Sequence, residues 1–310
     1  MRRSRERKKK RRKLRILLTV VAILFLVGAG YAFTVYQSFS SALKNMHEGI
    51  DRQSDLRDSS ISLSKKDPFS ILLLGVDERE NDKGRSDTMI VMTINPNEES
   101  VHMLSIPRDT RAEIVGNGTI EKINHAYARG GIEMSMASVE NLLDIPIDHY
   151  IQVNMEGFVD IVEAVGGVTV VNDMDLNYQG YHFPEGELNL NGEEALVYSR
   201  IRKGDPRGDF GRQLRQKQVI SAVIDQGASL SSLWKFDGIF DALGDNIKTS
   251  LSFEEMMDVQ KHYRSAASNI HQHQFEKGTN QTIDRLSYYV VNEEELAEYQ
   301  TMLKKHLELD

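Results

Sequence analysis

A block of positive charge followed at once by a long uncharged apolar run opens the chain and constrains everything downstream of it. Eleven of the first fifteen residues are Lys or Arg and one, Glu6, is acidic; after Arg15 no charged residue occurs until Lys44. From Ile16 to Phe33 the residues are apolar or small apart from Thr19 and Tyr31. That length is close to the roughly 20 residues a helix needs to cross a bilayer, and the basic flank predicts a cytoplasmic N-terminus. A cleaved signal peptide is the competing reading, because Val27, Gly28 and Ala29 offer small residues at a cutting position. The apolar run continues past that point, which favours an uncleaved anchor. The expected organisation is a cytoplasmic tail over 1–15, a transmembrane signal anchor over 16–36, an extracytoplasmic stalk over 37–67 and a folded domain over 68–310. The chain then sits in the cell membrane as a single-pass type II protein, touching membrane lipid through its N-terminal anchor.

Charge and cysteine content narrow the function classes. The whole chain holds 38 Lys and Arg against 46 Asp and Glu; setting aside the N-terminal block leaves 27 against 45, a net of −18. Nucleic acid is therefore not an expected partner, and the basic tail beside an apolar span is explained by topology and anionic headgroups. With no cysteine in the chain, disulfides, thiol catalysis and cysteine-ligated metals are excluded. The 68–310 segment has the length of one large domain, and no internal repeat is evident.

Phe69–Val76 (FSILLLGV) is a short, uninterrupted apolar run, as a strand covered on both faces would be. Met89–Asn95 and Val101–Ile106 follow closely, each closed by a proline. In an antiparallel meander of these three, Asp77, Asp87, Arg108 and Asp109 all fall at one edge. Ile120–Leu143 is mostly helical in pattern, interrupted by Gly130 and Gly131. Strand Tyr150–Val153, helix Met155–Val165 and strand Val168–Val171 read as a βαβ-like unit, so the sheet is expected to be mixed with helices packed on it. Gly192–Tyr198, Phe210–Gln226 and Phe253–Arg264 read as helices, and a final strand Tyr288–Val291 leads into helix Glu293–Leu307. The fold class is α/β, a mixed central β-sheet sandwiched by helices.

Five arginines, at 200, 202, 207, 212 and 215, fall within sixteen residues of this acidic domain. Planar guanidinium forks match phosphate oxygens two at a time, so bound phosphate or pyrophosphate explains the density, although a solvated basic helix face also would. Arg212, Arg215 and Gln216 stand at i, i+3 and i+4 near a helix start that Asp209 could cap, where free N–H groups attract anions. Val219, Ala222 and Val223 continue that face and should be core. At the meander edge, Asp77 and Asp87 suit a hard divalent cation such as Mg²⁺; pairing with Arg79 or Arg85 across the turn fits equally well. Arg108 lies on the edge where ligands bind in open α/β sheets, or forms a salt bridge with Asp109 or Glu113. Together the groups provide what phosphoryl transfer needs, with no evident covalent nucleophile. No Walker-type GxxxxGK[ST] loop occurs. His271 and His273 read as surface strand residues, His125 as a neighbour of the site, Asn117-Gly118-Thr119 as a turn, and Trp234 has no evident role.

The basic tail with its single span, the strand ending GVD, then RSDT, SIPRDT, KINHAYARGG, DHYIQVNMEGFVDIVEAVGGVTV, LNGEEALVYSRIRK and DFGRQLRQKQ resemble the LytR-CpsA-Psr family of Gram-positive bacteria. The resemblance covers most of the chain from Phe69 to Gln218 and is closest to members that attach wall teichoic acid. It implies a Mg²⁺-dependent phosphotransferase that moves an anionic glycopolymer from an undecaprenyl-pyrophosphate carrier to peptidoglycan. By motif, Asp77 and Asp87 would hold the metal, and Arg85, Arg108, Arg200, Arg202, Arg212 and Gln216 the pyrophosphate. Asp109 and Asp209 would orient arginines or take the proton of the attacking sugar hydroxyl, with Arg207 and Arg215 as weaker candidates. The family also implies an apolar groove for the prenyl tail, which the sequence does not localise. A hydrolase acting on the same lipid-linked pyrophosphate, and a non-catalytic envelope receptor or regulator binding it, are the rival readings.

Overall fold

The structure, a computed structural model, describes residues 46–50, 52–57, 59–77, 84–229 and 246–309. The basic tail and apolar span of residues 1–36, and Trp234, lie outside the described residues; among those described, no helix is long and apolar enough to cross a membrane. In chain order the strands are β1 (Phe69–Val76), β2 (Ser86–Asn95), β3 (Ser100–Ser105), β4 (Arg111–Ile114), β5 (Thr119–Lys122), β6 (His149–Val153), β7 (Val168–Asn172), β8 (Leu176–Tyr178), β9 (Tyr181–Phe183), β10 (Gly186–Leu190), β11 (Ile247–Thr249), β12 (Ile270–Gln274), β13 (Thr279–Ile283) and β14 (Leu286–Val290). The helices are α1 (His125–Leu143), α2 (Met155–Ala164), α3 (Gly192–Arg200), α4 (Asp209–Ser229), α5 (Phe253–His262) and α6 (Glu293–His306).

The lack of alternation in β1 has the expected cause, cover on both faces. Leu72, Leu74 and Val76 pack with α1 and α6 residues such as Val139 and Leu303, while Phe69 and Ile71 join the opposite layer with Met92, Met103 and Tyr263. The central sheet runs β11-β6-β1-β2-β3-β12. β1, β2 and β3 form the antiparallel meander; β6 joins β1 and β12 joins β3 in parallel, so the sheet is mixed.

Three expectations need correction. β6, α2 and β7 do not make a βαβ unit, because β7 pairs antiparallel with β10 in a separate two-stranded sheet. The alternating burial of β7 suits one covered face only, and Gly166 and Gly167, at φ of 85° and 88°, turn the chain away. Second, the helix expected from Ile120 begins at His125, since 119–122 is the return strand of the β4–β5 hairpin. Ile120 and Ile123 stand three apart like helix neighbours, but Ile123 is buried and Ile120 is 54% exposed. The expected interruption is present: Gly130 and Gly131 leave helical geometry inside α1. Third, the stalk is part of the folded body from Met46 onward. Met46 packs on Val153 and Ile247, Leu63 is buried, and the Arg57 guanidinium donates to Asp148 at 2.7 and 2.8 Å. Asp148 also accepts the Ser70 N–H at 2.8 Å, tying this segment to β1. Few apolar residues carry the attachment, which hides it in a polar stretch.

His271 and His273 do lie on a strand, where His273 Nε2 meets His102 Nδ1 at 3.0 Å. His102 is pushed down to about 3, first by burial and then by His306, His273 and His271. Tyr288–Val291, expected as a final strand, falls mainly in β14, which pairs with β13 outside the central sheet.

Two of the five clustered arginines hold the fold. Arg215 is 1% exposed; it donates to Asp205 Oδ2 at 2.6 Å and to the Ile201 carbonyl, with its guanidinium 5.8 Å from the Tyr198 ring centre. Arg207 donates to both Asp205 oxygens at 3.0 Å and to Asp173. Burial works to raise the Asp205 pKa, but the hydrogen bonds from Arg207 and Arg215 outweigh it and hold the carboxyl at about 2. A depressed native carboxyl stabilises the fold above the ordinary carboxylate pKa and loses that contribution as pH falls through the native value. Asp205→Ala, which strands a buried guanidinium, should cost about 3–5 kcal/mol in urea unfolding at pH 7. The gap between variant and wild type should narrow as pH drops from about 4 toward 2; a pH-independent gap would contradict the assignment.

Candidate active site

A cavity of about 710 Å³ lies between one face of the central sheet and helices α2 and α4. Its depth is apolar: Ile71 and Leu73 of β1, Ile151 of β6, Phe158 of α2, and Ile220 and Val223 of α4. Val219 and Val223 join a hydrophobic core cluster as expected, and they also line this cavity. Val219 stands about one turn past Gln216 and Val223 about two, on the same helix face.

The mouth is polar because strand and helix ends converge on it. Asp77 follows β1, and Asp87 is the second residue of β2 beside the Val76–Ser86 pairing. Arg108 lies just past β3, Arg200 ends α3, Arg202 follows it, and Arg212 and Gln216 sit one turn apart on α4. All seven line the mouth, although the two clusters are separated by more than ninety residues. Arg85 is exposed and does not line it. Neither does Asp109 or Asp209. Lys203, Ser199 and Asn154 line the cavity and were not singled out from the sequence; only the adjacency of Lys203 to Arg202 could have marked it.

Carboxylates orient two of the arginines. Arg108 Nη1 donates to Asp87 Oδ1 at 2.7 Å, so Asp87 pairs with Arg108 rather than Arg85. Burial opposes the Arg108 charge, but the bond to Asp87 and the charges of Asp87, Asp209 and Asp109 outweigh it and raise its pKa. Asp109 stands 3.9 Å from Arg108 Nε and accepts from Lys122 Nζ at 2.6 Å. Arg212 is 8% exposed, with Nη2 2.8 Å from Asp209 Oδ1. Asp209 Oδ2 accepts from Gln213 Nε2 at 3.1 Å, so its carboxylate engages side chains rather than capping the helix. Burial lowers the Arg212 pKa against the attraction of Asp209, yet guanidinium remains charged throughout the physiological range. Its Nε is buried without a hydrogen-bond partner. A donor in that condition costs about 1–3 kcal/mol. His125 does not line the cavity; its Nδ1 lies 2.8 Å from Glu121 Oε2. Among the described residues no group of three or more His, Asp or Glu gathers to hold a metal.

The chain is similar in sequence and fold to named proteins. The chain is 48% identical over 306 residues, 99% of both chains, to the Bacillus subtilis (strain 168) polyisoprenyl-teichoic acid--peptidoglycan teichoic acid transferase TagU. A crystal structure of an Enterococcus faecalis protein described as a transcriptional regulator superposes with a TM-score of 0.74 at 40% identity, covering 81% of this chain and 92% of the other. A structure described as TagT bound to LIIa-WTA has a TM-score of 0.73 at 32% identity, covering 85% of this chain and all of the other. The model of the LytR_cpsA_psr family matches residues 33–305, and the chain belongs to that family.

Proposed function

We propose that the protein is a transferase that moves an anionic glycopolymer, wall teichoic acid, from a polyprenyl-pyrophosphate carrier to peptidoglycan. The observation that carries this reading is the cavity itself, apolar along its depth and ringed at its mouth by guanidiniums and two carboxylates. An apolar depth suits a prenyl chain, and a cationic mouth suits its pyrophosphate. The activity in the name of the 48% identical TagU relative supports the same assignment.

A peptidoglycan hydroxyl, that of an N-acetylmuramic acid C6, attacks the glycan-proximal phosphorus. The new O–P bond forms as the bond to the prenyl phosphate breaks, and the hydroxyl proton is released. Arg108, Arg200, Arg202, Arg212 and Gln216 bind the pyrophosphate and stabilise charge on the departing phosphate. Asp109 and Asp209 are positioning residues in this reading. Both carboxylates already sit on cations and neither lines the cavity, so neither is assigned the proton.

Asp77 and Asp87 fit a Mg²⁺ ion. They are two carboxylates on neighbouring strand ends beside the phosphate position, and Mg²⁺ takes one or two carboxylates, keeps waters and fills the rest with phosphate oxygens. When bound, the ion would neutralise phosphate charge. Residues 16–36 anchor the chain, with the tail at 1–15 in the cytoplasm and the domain outside, so that the mouth meets lipid-linked donor at the membrane.

Arg108→Ala and Arg212→Ala should each lower transfer by about 10²-fold in an assay with lipid-linked polymer and peptidoglycan. Wild-type rates in both variants would sink the site assignment, and equal polymer release without acceptor would make the protein a hydrolase instead. Chelation should abolish transfer and added Mg²⁺ restore it; transfer persisting in excess chelator would remove the metal from the reading.

A further inference from the structure

The cavity mouth carries more positive charge than a pyrophosphate diester can use. Five cations line it, Arg108, Arg200, Arg202, Lys203 and Arg212, against the carboxylates of Asp77 and Asp87. Arg108 is tied to Asp87 and Arg212 to Asp209. Arg200, Arg202 and Lys203 are exposed and have no carboxylate partner among the described residues. A pyrophosphate diester bears one negative charge on each phosphorus, and the reading above already gives it Arg108, Arg200, Arg202 and Arg212. Lys203 is left over.

Its position is not that of a loose surface lysine. Ile201 is 0% exposed, and its carbonyl accepts from buried Arg215. Asp205, two residues past Lys203, is buried and holds Arg207 and Arg215. Between these fixed points only Arg202, Lys203 and Gly204 reach solvent, and Gly204 makes the turn at φ 95°. The backbone thus holds Lys203 at the rim, where a compact ammonium on a long stem suits an anion arriving from solvent along a flexible chain.

Resting on the donor proposed above, we infer that Lys203 forms a second anion subsite, beyond the pyrophosphate, for the first phosphodiester of the carried polymer. It would make the protein prefer polyanionic over neutral glycans on the same lipid carrier.

The test uses the full chain in neutral-detergent micelles with two prenyl-pyrophosphate donors sharing the same proximal sugars, one extended by phosphodiester units and one not. The wild type should prefer the extended donor in kcat/KM. Lys203→Gln should cut that preference about two- to fivefold, the range for an exposed ion pair, mainly through KM. Lys203→Arg should keep it. Added salt should erode the preference more in the wild type than in Lys203→Gln. Equal losses on both donors, or no loss on either, would overturn the subsite. So would a Lys203→Gln protein that keeps its donor preference but loses a response to added anionic lipid, which would assign the lysine to a headgroup. A wild type that transfers neither donor would instead defeat the transferase reading, and this inference with it.

Discussion

The stand-off between α4 and the central sheet is the constraint on which the rest depends. One face of α4 supplies Arg212 and Gln216 to the mouth and Val219, Ile220 and Val223 to the apolar wall. Left to hydrophobic attraction, at about 25 cal/mol per Å², that face would close onto the sheet and fill the cavity. Polar anchors on the other sides of the helix prevent this. Arg215 is fixed to Asp205 and the Ile201 carbonyl. Lys217 Nζ donates to the His273 carbonyl at 3.0 Å, and Gln218 Nε2 to the Val171 carbonyl at 2.9 Å. These bonds go to buried or strand-held groups whose positions do not adjust. Lys217 shows the cost, its ammonium pushed down to about 8 by burial against the pull of Glu276. What the anchors secure is a distance, and the distance is the cavity.

That constraint also explains what could be read along the chain and what could not. The meander was legible because three apolar runs with short, proline-marked connections leave few alternatives, and it brings Asp77, Asp87 and Arg108 to one edge. The split of the arginine run was only partly legible. Arg215 shares a helix face with Arg212 by spacing, yet its guanidinium turns inward to Asp205, and nothing in an i, i+3 count distinguishes the two. The apolar walls were illegible for a related reason. Val219 and Val223 follow the same periodicity whether they meet a packed core or an open cavity, since periodicity reports a face turned from water and not what fills it. The 46–67 segment was misread because its attachment runs through Arg57, Asp148 and backbone carbonyls, where hydropathy has no signal. The βαβ reading failed at Gly166 and Gly167, whose left-handed backbone sends β7 to a different sheet.

Electrostatics gives the site a direction. Beyond the N-terminal block the chain carries a net charge of −18, a poor surround for a polyanionic substrate. The acids nearest the arginine run are spent behind the mouth: Asp205 on Arg207 and Arg215, Asp209 on Arg212, Asp109 on Lys122. Arg200, Arg202 and Lys203, which lack such partners among the described residues, are exposed. The positive potential is therefore concentrated at the opening, where low-dielectric walls focus it, while half-buried Asp209 and buried Asp205 keep Arg212 and Arg215 in place before any ligand arrives.

The pairing of that mouth with a deep apolar cavity has a consequence for the proposed donor. Phosphate contacts alone would hold a soluble polymer terminus as readily as a lipid-linked one. Each buried methylene of a prenyl chain adds about 0.8 kcal/mol, far from the reacting phosphorus. Binding energy from such a remote part can hold the pyrophosphate against Arg108 and Arg212 without being lost when the polymer leaves. In the proposed reaction the polymer ends bonded to the acceptor and the tail remains with a single phosphate. The groups that bound the donor most tightly then hold only the leaving product, and the polymer, contacted chiefly at the exposed rim, is free to depart with the wall.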